Sequence, residues 1–161
     1  MHINSLIKNT LRKFGVDVQR FEPASSPTAQ LVTSLQKFEI DFILDVGANA
    51  GQFVTEIRSG GYMGNVVSFE PLSSARSALQ KAREGDLKWE VYPRCALGDK
   101  DGEIEINIAG NSASSSVLPM LDSHLSAAPY SAYVGKEMVP LLALDGVAPA
   151  YIDKYQNPFL K

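Results

Sequence analysis

One short run constrains this chain more than any other. Ile40-Asp41-Phe42-Ile43-Leu44-Asp45-Val46 is β-branched and largely apolar, and it ends in Gly47-Ala48-Asn49-Ala50-Gly51. A nearly continuous apolar strand is buried on both faces, the habit of a parallel sheet covered by helices. A helix is expected next, from Gly51 to Arg58, closed by Gly60-Gly61. The second strand, Asn65 to Phe69, ends at Glu70-Pro71, and Ser73 is placed to cap a helix bearing Ala75, Ala78, Leu79 and Ala82. A third strand runs from Trp89 through Tyr92, with an extension to Leu97 interrupted at Pro93. Strand, helix, strand, helix, strand specifies an open α/β sheet.

The pattern then changes. Residues 98–102 form a turn, and Glu103 to Ile108 alternates polar with apolar, as a half-exposed antiparallel strand does. Asn111 to Ser116 reads as a polar loop, Val117 to Tyr133 is weakly patterned, and Met138 to Leu144 forms another short strand. Asp145 to Tyr155 is expected as a final helix broken near Pro149. Pro158 to Lys161 begins a further apolar run, a fourth parallel strand barely started. The expectation is an incomplete sheet with an open edge, in a chain that is a truncated version of something longer. Ahead of the sheet, Ile3, Leu6, Ile7, Thr10, Leu11 and Phe14 line one side of a helix, and the stretch from Pro23 to Pro27 is a loop. Thr28 is placed to cap a second helix with Leu31, Leu35 and Phe38. The chain thus divides into a helical N-terminal extension over 1–39, packed on the domain, and a cofactor-binding domain over 40–161.

Composition narrows the function classes. With 161 residues and 45% apolar content this is one globular domain, or one cut short. A formal charge of −3 argues against a nucleic-acid surface, which needs a basic stripe to displace counterions. Cys95 is the sole cysteine, so no internal disulfide can form, and a small buried thiol is its expected role. Without a Cys/His cluster a structural zinc is not expected; a carboxylate-held Mg²⁺ stays open. Charged residues, Pro or Gly interrupt every apolar stretch well before the roughly 18 to 20 residues of a membrane span. The expectation is a cytoplasmic protein with a small-molecule cofactor.

The loop from Asp45 to Gly51 says which cofactor. It sits where a strand turns into a helix, and the free N–H groups of a helix start receive anionic or zwitterionic ligands. Gly47 and Gly51 permit close approach of a ligand to the backbone, Ala48 and Ala50 are nearly as small, and Asn49 tolerates positive φ. Glu70 stands 19 positions beyond Gly51, at the end of the next strand, where nucleotide-binding βαβ units place the acid that accepts from a ribose diol. A Gly-x-Gly-x-x-Gly dinucleotide fingerprint fits the loop in neither register. Asp45, just ahead of the loop, opposes a pyrophosphate and suits the ammonium of a methionine moiety. S-adenosylmethionine is therefore the expected ligand, ahead of a nicotinamide dinucleotide. His124, the internal histidine, is expected to be an exposed side chain rather than a general base.

The run Leu44-Asp45-Val46-Gly47-Ala48-Asn49-Ala50-Gly51, then Phe69-Glu70-Pro71, then Ala96-Leu97-Gly98-Asp99 with Asp101-Gly102, resembles the FkbM family of methyltransferases, with weaker likeness at residues 114–116 and at Leu144-Asp145. The resemblance spans about Phe42 to Lys161. It implies a Rossmann-like class I methyltransferase fold, S-adenosylmethionine as methyl donor, and O-methylation of a sugar or other secondary-metabolite hydroxyl. On this sequence it implies that Asp45, Gly47, Asn49 and Gly51 form the methionine-side loop, that Glu70 holds the ribose, and that Ala96 and Leu97 lie near the adenine edge. Residues 112–116 read first as a surface loop and second as an acceptor contact. Family members continue past a segment like Phe159-Leu160-Lys161 into an acidic strand end, so the alternative is a non-catalytic remnant that binds the cofactor weakly or not at all. An unfinished sheet edge also allows a homo-oligomer.

Overall fold

The structure is a computed structural model describing residues 10–15 and 26–161. The expected helix beginning at Ile3 therefore falls mostly outside the described residues, although residues 10–12 are helical, as does the Pro23 end of the expected loop. From Ser26 onward the order is α1 (Pro27–Lys37), β1 (Phe42–Val46), α2 (Gln52–Ser59), β2 (Asn65–Phe69), α3 (Ser73–Ala82), β3 (Trp89–Val91), β4 (Ala96–Gly98), β5 (Gly102–Ala109), α4 (Asp122–Ala127), a 3₁₀ turn (Pro129–Ser131), β6 (Tyr133–Ala143), α5 (Leu144–Val147), α6 (Pro149–Ile152) and β7 (Pro158–Leu160).

Two sheets result. The first is parallel throughout, in the order β3-β2-β1-β7. Its central strands are as buried as their sequences demand: Ile43 and Val67 are fully buried, and Phe42, Leu44, Val66 and Phe69 nearly so. One face carries α1, α2 and α3 through Val32, Leu35, Val54, Ile57 and Leu79, packed with Trp89 of β3. The other packs Phe42, Leu44, Val67, Phe69 and Cys95 beneath Val147 of α5 and the tyrosines at 151 and 155. Phe42 stacks on Tyr155 with 4.3 Å between ring centroids. Cys95 is thus the buried thiol expected of it, its pKa raised by burial.

The second sheet, β4-β6-β5, pairs β4 with β6 in parallel and β5 with β6 antiparallel. Pro93 separates β3 from β4, so the expected extension of one strand to Leu97 becomes two strands in different sheets. Proline removes a ladder donor, and the chain leaves the first sheet there. β6 begins at Tyr133, earlier than its sequence suggests, because Gly135, Lys136 and Glu137 dilute its alternation. The sheet lays Ile106 and Val139 against Leu72 and Ala75 at the start of α3.

Helix starts also differ from expectation. Ser26, not Thr28, caps α1, its hydroxyl accepting the Ala29 N–H at 3.3 Å with Pro27 in the first turn. Ser73 lies inside α3 rather than capping it, and its N–H donates to Glu137 Oε2 of β6 at 3.2 Å. A carboxylate from a distant strand meets the positive helix end. Arg94 pairs with the same Glu137, so one side chain ties the second sheet to α3.

Arg58 does similar work at the other end of the first sheet. Its Nε donates to Asp86 at 2.7 Å, and Nη1 donates to the carbonyls of Tyr62 and Gly64 at 2.9 Å each. Burial alone would raise the Asp86 carboxyl pKa, but the hydrogen bonds from Arg58 and the Lys88 amide, with the charges of Arg58 and Arg83, together outweigh it and hold the group below the usual range. The planar fork makes this possible, and lysine cannot reproduce it. Arg58→Lys is expected to cost roughly 1 kcal/mol in a urea titration, the modest size reflecting partial exposure. An unchanged midpoint would show that the fork contributes nothing.

Candidate functional site

The parallel sheet reverses its winding at β1. The chain runs outward through β2 and β3, then returns to place β7 on the other side of β1. Ligands of open α/β sheets bind outside the carboxyl ends of the strands at such a point. At that end the Gly47 and Ala48 N–H groups both donate to Phe69 O at 3.0 Å, folding the loop after β1 over the tip of β2. Gly47, Asn49 and Gly51 all take positive φ, at 73°, 48° and 85°. The left-handed tolerance expected of Asn49 is therefore used.

Glu70 closes the arrangement. It is 5% exposed; Oε2 accepts the Asn49 N–H at 2.7 Å and Oε1 accepts the Leu72 N–H at 2.8 Å. Burial raises the carboxyl pKa, the two amides pull it back, Asp45 raises it and Lys161 lowers it. A folded-state pKa above the unfolded one favours the fold in acid, and that contribution is lost as pH rises through the folded value. The ionised carboxylate is thus held at a cost to stability, as functional acids often are.

A cavity of about 320 Å³ opens over this corner, lined by Gly47, Asn49, Glu70, Pro71, Leu72 and Ala75 on one side and by Ile106 and the 112–117 loop on the other. Its size suits a small-molecule ligand. Nothing lies within 4 Å of where a Gly47 Cβ would stand, so that glycine leaves space toward the cavity. Each Glu70 oxygen uses one acceptor site on a backbone amide, and a carboxylate has about four. Two remain for a vicinal diol.

The residues singled out from sequence do not all meet here. Gly47, Asn49 and Glu70 line the cavity together. Gly51 stands behind it, where a Cβ would come 2.8 Å from the Trp89 ring. Asp45 is fully buried and directs Oδ2 at the Ser68 hydroxyl, 2.8 Å away. Leu97 packs against the core beneath the sheet, and Ala96 beside Leu72 and Ala75. His124 lies exposed on α4, outside the cavity lining.

Sequence reasoning ranked one wall of the cavity second and missed a partner of the loop's leading acid. The 112–117 loop, read first as a plain surface loop, forms the far wall, and Ser112 Oγ reaches Asn49 Oδ1 at 3.3 Å. Ser115 Oγ accepts the Ala109 N–H at 3.0 Å and Asn111 Oδ1 accepts that of Ser114 at 3.1 Å, so the loop is internally bonded. The asparagine–serine turn chemistry was the available signal. The missed partner is Lys161, whose ammonium lies 2.8 Å from Asp45 Oδ1. No local pattern announces that pairing.

Among the described residues no helix is long and apolar enough to cross a membrane, and no group of three His, Cys, Asp or Glu could hold a metal. No curated protein and no solved structure matches the chain. The family model described as Methyltransferase FkbM domain matches residues 45–159, a span running from the acid ahead of the glycine loop into β7. Covering well over half its length, that match places this chain in the FkbM methyltransferase domain family.

Proposed function

We propose that the chain is an S-adenosylmethionine-dependent methyltransferase domain of the class I, Rossmann-like type, acting on a hydroxyl of a sugar or other small metabolite. One observation carries the reading: the Glu70 carboxylate, at the tip of β2, hydrogen-bonds the glycine loop at Asn49 and keeps acceptor capacity for a ribose diol. The sheet order, with β7 returning beside β1, supports the class I assignment. Gly47 gives the backbone clearance such a ligand needs, and the first turn of α2 starts without a side-chain cap. Within the reading Gly47, Asn49 and Glu70 touch the cofactor, while Gly51 and Asp45 support the loop from behind.

Held by Gly47, Asn49 and Glu70, the cofactor would supply an electrophilic methyl group for an acceptor oxygen, with a neutral thioether as the leaving group. The chain's own part is orientation and exclusion of water. The hydroxyls at 112, 115 and 116 stand opposite Glu70 across the cavity, where a hydroxylated acceptor can hydrogen-bond. Pro71, Leu72, Ala75, Ile106 and Val117 give an apolar surface for a base or sugar face.

Calorimetry with S-adenosylhomocysteine tests the proposal. One binding site is expected, with no competition from NADH at matched concentration. A folded sample that gives no heat, or that prefers NADH, overturns it.

A further inference from the structure

The Asp45 carboxylate is 0% exposed, and its two oxygens are treated differently. Oδ2 accepts the Ser68 hydroxyl at 2.8 Å, and Ser68 Oγ accepts the Trp89 indole N–H at 2.9 Å. Oδ1 is equally enclosed and accepts no hydrogen bond; its neighbour is the Lys161 ammonium at 2.8 Å. A buried carboxylate is tolerated when a counter-charge meets it, and Lys161 is that charge.

Lys161 is fixed by its backbone. Its N–H donates to Leu44 O at 2.9 Å and its carbonyl accepts the Val46 N–H at 3.0 Å, so the ladder between β1 and β7 continues through it. The ammonium therefore stands at the carboxyl ends of β1 and β7, the point where the sheet reverses. The Phe53 ring of α2's first turn lies 5.1 Å from it. A lysine ammonium carries three donors, and its ion pair with Asp45 leaves capacity for a further acceptor. The side chain is 32% exposed, unlike its partner, so part of it faces outward. Neither member of the pair lines the cavity itself, but Val46, whose N–H donates to the Lys161 carbonyl, is followed directly by Gly47 of the cavity lining, so the pair stands at the base of the ligand loop.

We propose that the Lys161 ammonium binds the α-carboxylate of an amino-acid moiety, carried by the same nucleoside thioether whose ribose Glu70 holds. The inference rests on the function proposed above and adds the group that recognises the far end of that ligand. Asp45 is then a positioning residue: enclosed and paired, it holds Lys161 in place through the Trp89–Ser68–Asp45 chain, and a ligand ammonium does not reach it while the pair stands. This revises the role its sequence position suggested.

Two ligands separate the possibilities: S-adenosylhomocysteine, and S-adenosyl-3-thiopropylamine, which lacks the α-carboxylate alone. Dissociation constants from calorimetry on the full chain are expected to favour the carboxylate-bearing ligand by about tenfold or more, the scale of one charge-assisted hydrogen bond. Lys161→Met is expected to bring the two constants within roughly threefold, chiefly through weaker binding of S-adenosylhomocysteine. Because this variant strands the Asp45 charge and can loosen the fold, the double variant Asp45→Asn/Lys161→Met is the companion, expected to show the same lost preference. Lys161→Arg is expected to keep it. A Met variant that retains the full preference, or that weakens both ligands equally, overturns the inference, as does a wild-type protein that binds both alike; that last result leaves the cofactor reading intact. Wild-type protein that binds neither ligand overturns the cofactor reading and the inference together.

Discussion

Replacing Gly51 by alanine is expected to destabilise the protein by about 2 to 5 kcal/mol, while the same change at Gly47 costs about 1 to 2 kcal/mol. Both glycines take positive φ, 85° and 73°, so both substitutions carry the strain of a left-handed L-residue, roughly 1 to 2 kcal/mol. The difference lies in what a methyl group meets. At Gly51 it would stand 2.8 Å from Trp89 Cη2 and 3.0 Å from Leu79 Cδ1. Neither neighbour gives way easily: Leu79 is fully buried, and the Trp89 ring is 3% exposed and tethered by its N–H to Ser68. Overpacking of that kind adds roughly 1 to 3 kcal/mol. At Gly47 the methyl meets nothing within 4 Å and protrudes where the cavity opens. Urea midpoints with unchanged m-values read the stability difference, and S-adenosylhomocysteine titrations read the other half: Gly47→Ala is expected to lose affinity out of proportion to its stability. Equal destabilisation by the two changes would show that Trp89 is not what Gly51 serves.

That contrast marks how far the sequence could be read. β1, the loop after it and β2 were legible because they are local: a doubly buried strand writes itself as a continuous apolar run, and a left-handed turn as Gly or Asn. Glu70 was legible for the same reason, since one βαβ unit fixes its distance from the loop. What each residue does there was less legible. Gly51 appears in the sequence as a ligand-facing glycine, but its neighbour is Trp89, a contact set by the pairing of β2 with β3. Asp45 appears as a cofactor contact, but the register of β7 brings Lys161 to it across more than a hundred residues. The 112–117 loop acquires its position from Glu137, which anchors β6 to α3, and from the antiparallel pairing of β5. Long-range register decides all three, and no window of sequence contains it.

Glu70→Ala is expected to weaken binding of S-adenosylhomocysteine by about 1 to 3 kcal/mol, or roughly five- to 150-fold. The carboxylate has two duties, and the substitution removes both. It orders the corner by accepting the Asn49 and Leu72 amides, and it is proposed to accept the ribose hydroxyls. Glutamine does not substitute cleanly: its carbonyl can serve one amide, but its NH₂ then faces the other, donor against donor. Glu70→Gln is therefore expected to bind no better than Glu70→Ala. The pH dependence isolates the charge. Burial holds the Glu70 carboxyl above its ordinary value of 4.5, with Asp45 pushing the same way and Lys161 and the two amides opposing. A ligand that prefers the ionised form releases a proton on binding in acid, so affinity is expected to fall as pH drops through this raised pKa. In Glu70→Ala that limb should disappear, while binding above it stays weak at every pH. A wild-type affinity flat across the acid range, or an alanine variant that titrates like wild type, would remove Glu70 from the ligand's contacts and leave it a bracket for the Asn49 turn alone.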